Sequence, residues 1–253
     1  MKILVTFAVD AEFAPWRKRN EFRRKENLRG FYAASVNDLE VYVLLTGIGW
    51  DGANSNFAIA EALKEKPDLC ISSGLAGALK PAYLHGHVLV ARRICRLGED
   101  QVVASTASLA SSAAENGAHL VEMFVTTDKI VRSAEEKIRL AARGEAVEME
   151  SYHVLRAATK ARVPCVAIRA VSDTSEENLP VDFEQVVDRA GHVRWPRMIR
   201  EVGRHPGRVS ALIRFGGRSK SAATRLADFL DNYVDSFSGS SLPPAMEAAG
   251  AAR

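Results

Sequence analysis

Three carboxylates in this chain stand where an apolar run gives way to polar residues. Glu12 follows Ile3-Leu4-Val5-Thr6-Phe7-Ala8-Val9, Glu150 closes Ala146-Val147-Glu148-Met149-Glu150, and Asp173 ends Val166-Ala167-Ile168-Arg169-Ala170-Val171-Ser172. Apolar runs of this length read as strands covered on both faces. Ligands of open α/β sheets bind at the carboxyl ends of such strands. Glu150 and Asp173 are therefore expected to share one site, with Glu12 as a third candidate. Each also has a structural reading. Glu12 could be a solvated acid opening a helix, as acids favour helix N-termini. Glu150 could be a helix-start acid beside a core Met149, and Asp173 a helix cap. Two glycine groups, Gly47/Gly49 and Gly74/Gly77, would let backbone approach a ligand and offer N–H groups. Neither forms a GxGxxG fingerprint or a Walker loop.

The elements that must position these residues follow in series. Residues 13–25 are basic and contain Pro15, reading as a helix or loop across the surface. Phe31–Ala34 and Glu40–Leu45 flank Asn37-Asp38 as a β-hairpin. A helix is predicted from about Ala53 to Lys66, with Phe57, Ala58, Ala60, Ala62 and Leu63 available to pack. Strands are predicted at 69–73, 88–94 and 119–126. A weak helix lies within 104–117, and a helix capped by Ser133 with Glu136 at capping-box spacing ends by Gly144. The whole reads as a three-layer α/β/α sandwich with a mixed, mostly parallel central sheet, in one domain over 1–235. The Ser/Ala/Gly/Pro-rich tail 236–253 reads as disordered.

Composition narrows the class. The chain has 253 residues, 47% of them hydrophobic, enough to bury a full core. It has no apolar run of spanning length, and Met1-Lys2 leads into no signal-peptide pattern, so the reading is a cytoplasmic protein. Cys70, Cys95 and Cys165 show no CxxC spacing and read as buried reduced thiols. No His/Cys/carboxylate group has metal-ligand spacing, so neither metal nor cofactor is expected. The net charge of +3 conceals a basic stretch. Residues 189–225 carry nine arginines and Lys220 against Glu201 alone, a local balance of +9.

Taken together, five collinear pieces resemble the nucleoside phosphorylase and nucleosidase superfamily, in particular the methylthioadenosine/adenosylhomocysteine nucleosidase branch. They are Met1-Lys2-Ile3 with Ala8-Val9-Asp10-Ala11-Glu12, Thr46-Gly47-Ile48-Gly49, Gly74-Leu75-Ala76-Gly77, Val147-Glu148-Met149-Glu150 and Arg169-Ala170-Val171-Ser172-Asp173. The resemblance covers about residues 1–175 and a last helix near 218–235. It implies cleavage of a ribose–purine bond through an oxocarbenium-like state. By resemblance Asp173 would be the acid serving purine N7, with Ser172 orienting it. Glu150 would bind the ribose diol, Met149 would pack on the sugar, and Glu12 would activate water. Val9, Ile48, Ile130 and Val131 would complete the substrate contacts, Ile130 at the purine-stacking position. An acid that holds its proton near neutral pH needs burial among apolar residues.

Phosphorolysis would need an anion cradle. Leu75 stands where the family often has a hydroxyl residue and cannot bind phosphate, which favours hydrolysis. Arg17, Arg19, Ser72 and Ser73 leave phosphate open as a partner. About 45 residues, Thr174 to Arg218, follow the last motif before the final helix. Their interleaved arginines and apolar residues suit contact with an anionic membrane through 189–225, at the inner face. An amphipathic lid or an oligomer contact is the alternative, and nucleic acid is not expected as a partner. This insert resembles the hopanoid-associated phosphorylase-like branch, which implies an adenosylhopane-like lipid nucleoside ahead of methylthioadenosine or adenosylhomocysteine. A homodimer or higher homo-oligomer is expected. The rival functions are a phosphorolytic purine nucleoside phosphorylase and a non-catalytic nucleoside-binding module.

Overall fold

The computed structural model describes residues 1–26, 28–180, 188 and 209–238. Among the described residues eleven strands form one sheet in the order β2-β3-β4-β1-β5-β11-β6-β10-β9-β7-β8. Its centre is built from the apolar runs: β1 (Lys2–Phe7), β5 (Leu69–Ser72) and β11 (Cys165–Asp173) lie side by side and parallel. The hairpin β3 (Phe31–Val36) and β4 (Leu39–Leu45) extends one edge, with β4 parallel to β1 and the two-residue β2 (Arg23–Arg24) outside β3. Asn37 and Asp38 both have positive φ, as the tight hairpin turn requires.

On the other side stand β6 (Leu75–Ala78), β10 (Ala146–Glu148), β9 (His119–Thr126), β7 (Val88–Arg96) and β8 (Val102–Ala104). β11 pairs both with β6 and, antiparallel, with β7, so this half of the sheet closes on itself. Six of the eleven described pairings are parallel. The sheet is thus mixed as expected, with the parallel majority slimmer than the alternation of β and α suggests. The short β2, β6 and β8 had no clear sequence signal. β6 holds most of the Gly74-Leu75-Ala76-Gly77 motif, and its partners β10 and β11, not its composition, make it a strand.

Helices cover both faces. α1 (Asp10–Arg19), α3 (Ala107–Glu115) and α6 (Val209–Asp235) pack into one apolar cluster through residues such as Phe13, Trp16, Leu109, Leu226 and Leu230. α2 (Gly52–Leu63) and α5 (Ser151–Lys160) pack into the opposite cluster through Ile59, Ala62, Val154 and Leu155. α4 (Ala134–Leu140) flanks a smaller cluster of Leu79, Val125 and Val147, and its Ser133–Glu136 capping box forms as predicted.

Four expectations need correction. The basic stretch after Glu12 does not merely cross the surface: Phe13 and Trp16 are fully buried, and the Trp16 Nε1 donates to Asp231 of α6 at 2.6 Å. In α2, Phe57 is 62% exposed and Ala60 is exposed, because the buried stripe runs through Ser55, Ile59 and Ala62. The final helix starts near 209, well ahead of 218. Cys95 is only partly buried, although all three cysteines are free; burial pushes the Cys70 thiol well up and the Cys165 thiol up, keeping both protonated. Among the described residues no helix is long and apolar enough to cross a membrane. Most of the basic insert and residues 239–253 of the expected disordered tail lie outside the described residues.

Candidate active site

At the carboxyl ends of β1, β10 and β11 lies a cavity of about 1030 Å³. All nine residues singled out in the sequence line it: Val9, Glu12, Ile48, Ile130, Val131, Met149, Glu150, Ser172 and Asp173. Glu12 reaches it because β1 passes into α1 at Val9, whose extended backbone turns the chain into the helix. One Glu12 oxygen accepts from the Ala8 amide and the other from the Leu75 amide, each at 3.0 Å. The second contact depends on Gly74. Its φ of +144° bends the chain between β5 and β6, and a Cβ there would lie 3.0 Å from the Glu12 carboxylate. Burial pushes the Glu12 carboxyl up, against those two hydrogen bonds and the nearby Arg169 charge. A carboxylate with a raised pKa is a stronger base.

Glu150 stands two residues beyond β10 as the N-cap residue of α5 and accepts from the Gly49 amide at 2.8 Å. The motif glycine thus holds the proposed sugar-binding carboxylate, linking residues 101 apart. Behind Glu150 sits a charge cluster that sequence reasoning missed. Arg169, 1% exposed, donates to Glu148 at 2.7 Å and to Ser72 at 3.3 Å, and lies 3.8 Å from Glu150. Glu148 also accepts from Thr126 Oγ1 and from the amides of Glu150 and Ser151. Burial alone would raise the Glu148 carboxyl, but the Arg169 guanidinium and these hydrogen bonds outweigh it and hold the group ionised. Glu150 is left without an equal cation. Burial, then the Glu148 charge, push it up to about 8. The signal for Arg169 was available: a lone arginine inside an otherwise apolar strand must meet a carboxylate.

On the last turn of β11 a register shift lies between Val171 and Asp173, against Ala76 and Gly77 of β6. Alternation would send Ser172 and Asp173 to opposite faces; the bulge re-aims them, and both line the cavity. The Ser172 hydroxyl lies 2.6 Å from Asp173 Oδ1 and 3.2 Å from the Ala76 carbonyl. Gly77 is required here too, since a Cβ would come within 2.9 Å of Asp173 Oδ2. The second missed residue is Lys137 of α4, fully buried, whose ammonium donates to Asp173 Oδ2 at 2.5 Å. Asp173 is buried at the end of an apolar strand as expected, and it also meets the Lys137 ammonium in a buried ion pair.

Beyond the carboxylates the cavity runs between α1 and α6. Ala11, Ala14 and Pro15 line one wall, Leu212 and Phe215 the other, with Leu179 between; Lys18 and Lys220 stand among the polar groups that also line it. Of the four residues that might rebuild an anion site, Arg17 is paired with Asp10, and Arg19 with Asp228 and Asp231. Ser72 is within hydrogen-bond reach of Ser151 and Arg169, whereas the buried Ser73 hydroxyl makes no hydrogen bond among the described residues. Among the described residues no group of three or more His, Cys, Asp or Glu could hold a metal ion.

A family profile described as the phosphorylase superfamily matches residues 2–194. The chain belongs to that superfamily. Among similar proteins, the 5'-methylthioadenosine/S-adenosylhomocysteine nucleosidase of Staphylococcus epidermidis is 25% identical over 186 residues, which is 63% of this chain and 80% of that one. The fold matches the Campylobacter jejuni 5'-methylthioadenosine/S-adenosyl homocysteine nucleosidase with a TM-score of 0.70 at 19% identity, covering 93% of this chain and 99% of that one. A futalosine hydrolase mutant of Helicobacter pylori matches with a TM-score of 0.71 at 20% identity, over 93% and 99%.

Proposed function

We propose that this chain hydrolyses the N-glycosidic bond of an adenine-type purine nucleoside carrying a bulky apolar 5′ substituent. The observation that carries this reading is a single cavity whose lining joins Glu12, Glu150 and Asp173 to apolar residues of α1 and α6 such as Ala14, Pro15, Leu212 and Phe215. Its volume of about 1030 Å³ stands at the top of the range of about 300–1,000 Å³ for small-ligand pockets. In this reading Asp173 gives its proton to purine N7 as the C1′–N9 bond breaks. Glu150 accepts from the ribose hydroxyls with Met149 against the sugar, and Glu12 takes a proton from the attacking water. Ile130 and Val131 cover the base, while Val9 and Ile48 pack beside the sugar. The relatives named as nucleosidases support this chemistry.

Hydrolysis is favoured over phosphorolysis because Arg17 and Arg19 already neutralise carboxylates of the chain itself. The apolar extension favours a lipid-like substituent, such as that of an adenosylhopane-like nucleoside in hopanoid biosynthesis, over the small methylthio group. Exposed Ile213 beside Arg214 and Arg218 on α6 supports peripheral contact with an anionic membrane; residues 189–208 of that basic stretch lie outside the described residues. A homo-oligomer remains part of the proposal.

The test is adenine release from a panel of 5′-substituted adenosines, with and without phosphate. Free ribose products independent of phosphate are expected, with kcat/KM rising with the apolar length of the 5′ group. Ribose 1-phosphate products would move the chain to the phosphorolytic class, and binding without turnover of any nucleoside would leave a binding module. Salt-sensitive binding to anionic vesicles tests the membrane contact; none at low salt would remove it.

A further inference from the structure

Lys137 is a costly residue to bury. It lies on α4 next to a cluster of Leu79, Val125 and Val147, where an apolar side chain would pack without loss of hydration. Its ammonium has three protons and finds three acceptors: Asp173 Oδ2 at 2.5 Å, the Thr174 carbonyl at 2.6 Å and the Glu177 carbonyl at 3.0 Å. The two carbonyls belong to the segment just after Asp173, so every contact serves that one stretch. The helix that carries Lys137 is tied to the same segment. The Ala134 amide donates to Asn178, and the Leu179 amide donates to the Arg132 carbonyl. Buried ion pairs are weak sources of stability, which points away from a purely structural reason for this lysine.

We propose that Lys137 is a positioning residue for the purine-side acid, holding Asp173 through Oδ2 and stabilising the negative charge that appears when Asp173 gives up its proton. The inference rests on the nucleosidase reading above. With Oδ2 taken by an N–H donor, the transferable proton sits on Oδ1. The Ser172 hydroxyl can donate to the Ala76 carbonyl or to Oδ1, and its bond to Oδ1 strengthens once Oδ1 is ionised. In the reaction the C1′–N9 electron pair moves into the purine and N7 takes the Oδ1 proton. Water oxygen bonds to C1′, and its proton passes to Glu12. Asp173 is left as a carboxylate facing a fixed ammonium, and regains a proton from solvent after product release. Charge that develops only in the transition state is where a fixed cation accelerates chemistry most.

The experiment compares two leaving groups in wild type, Lys137→Met, Asp173→Asn and the double variant. One substrate is a 5′-substituted adenosine; the other is the 4-nitrophenyl riboside with the same 5′ group, whose leaving group departs as an anion without protonation. Lys137→Met is expected to lower kcat on the adenosine by about 100-fold, with KM and the nitrophenyl rate within about threefold of wild type. In the Asp173→Asn background Lys137→Met is expected to cost nothing more on the adenosine; this charge-neutral double variant guards against a single variant that fails to fold. Equal losses on both substrates, or additive losses in the double variant, would overturn the proposal in favour of a structural role. An unaffected adenosine rate in Lys137→Met would overturn it while leaving the nucleosidase reading intact. No adenine release by wild type would sink that reading, and this inference with it.

Discussion

The two halves of the site treat buried carboxylates in opposite ways. On the proposed sugar side, Glu12, Glu148 and Glu150 share the field of one guanidinium, Arg169, which sits closest to Glu148 and satisfies it. The charge deficit falls on Glu150, pushed up to about 8, and on Glu12, pushed up by burial. On the proposed purine side, the Asp173 carboxylate meets one ammonium, that of Lys137. Counting cations per carboxylate therefore separates carboxylates that burial and like charge push up from one that faces a fixed ammonium of its own. A surplus of carboxylates suits hydrogen bonding to sugar hydroxyls and proton removal from water. A matched pair suits a group whose ionised form must be stabilised at the moment of proton transfer.

That contrast can be broken at several points. The largest effect is expected from Asp173→Asn, which removes the proposed acid: about a 10³-fold loss in kcat on a purine nucleoside with KM little changed. A surviving rate would show that the purine side is not where the proton comes from. Next comes Arg169→Leu, which strands Glu148 without its cation. Breaking one partner of a buried pair costs about 3–5 kcal/mol, so chemical denaturation should show a loss of that size. A change under about 1 kcal/mol would mean that the cluster is wetter than its burial implies.

A smaller effect concerns pH. Because the folded-state pKa of Glu150 is raised, the native protein holds a proton that the unfolded chain releases near its ordinary value of 4.5. This contribution is fully present below about 4.5 and is lost as pH rises through about 8. Glu150→Gln should flatten the decline of Tm across that window; an identical slope in both proteins would show Glu150 ionised throughout. The smallest change is expected from Ser172→Ala, which removes one hydrogen bond to Asp173. A net hydrogen bond is worth about 0.5–1.5 kcal/mol, so kcat should fall by about 2- to 10-fold. A loss as large as that of Asp173→Asn would make Ser172 far more than an orienting group.

Much of this geometry was legible in the residues. Glu12, Glu150 and Asp173 each follow an apolar run, and strands that end in acids deliver them to one sheet edge. The hairpin at Asn37-Asp38 and the Ser133 capping box were equally local, set by turn and cap chemistry within a few residues. Lys137 was not legible. Its helix is short and its neighbours Glu135, Glu136 and Arg139 are ordinary surface charges, so one buried lysine among them leaves no periodic trace. Phe57 misled for the converse reason: an apolar residue on an amphipathic helix was read as core, yet it lies off the stripe that meets the sheet.

What residue types and their order determined is the set of strand ends, the glycines that must stay glycines and the carboxylates that stand beside them, because these follow from backbone sterics and short-range periodicity. What only the folded chain decided is which charge meets which. The closure of the sheet through β11, and the register shift before Asp173, bring Arg169 against Glu148 and Lys137 against Asp173 across 21 and 36 residues. Those pairings depend on long-range register and on burial, and in a buried site they set the charge that each carboxylate faces.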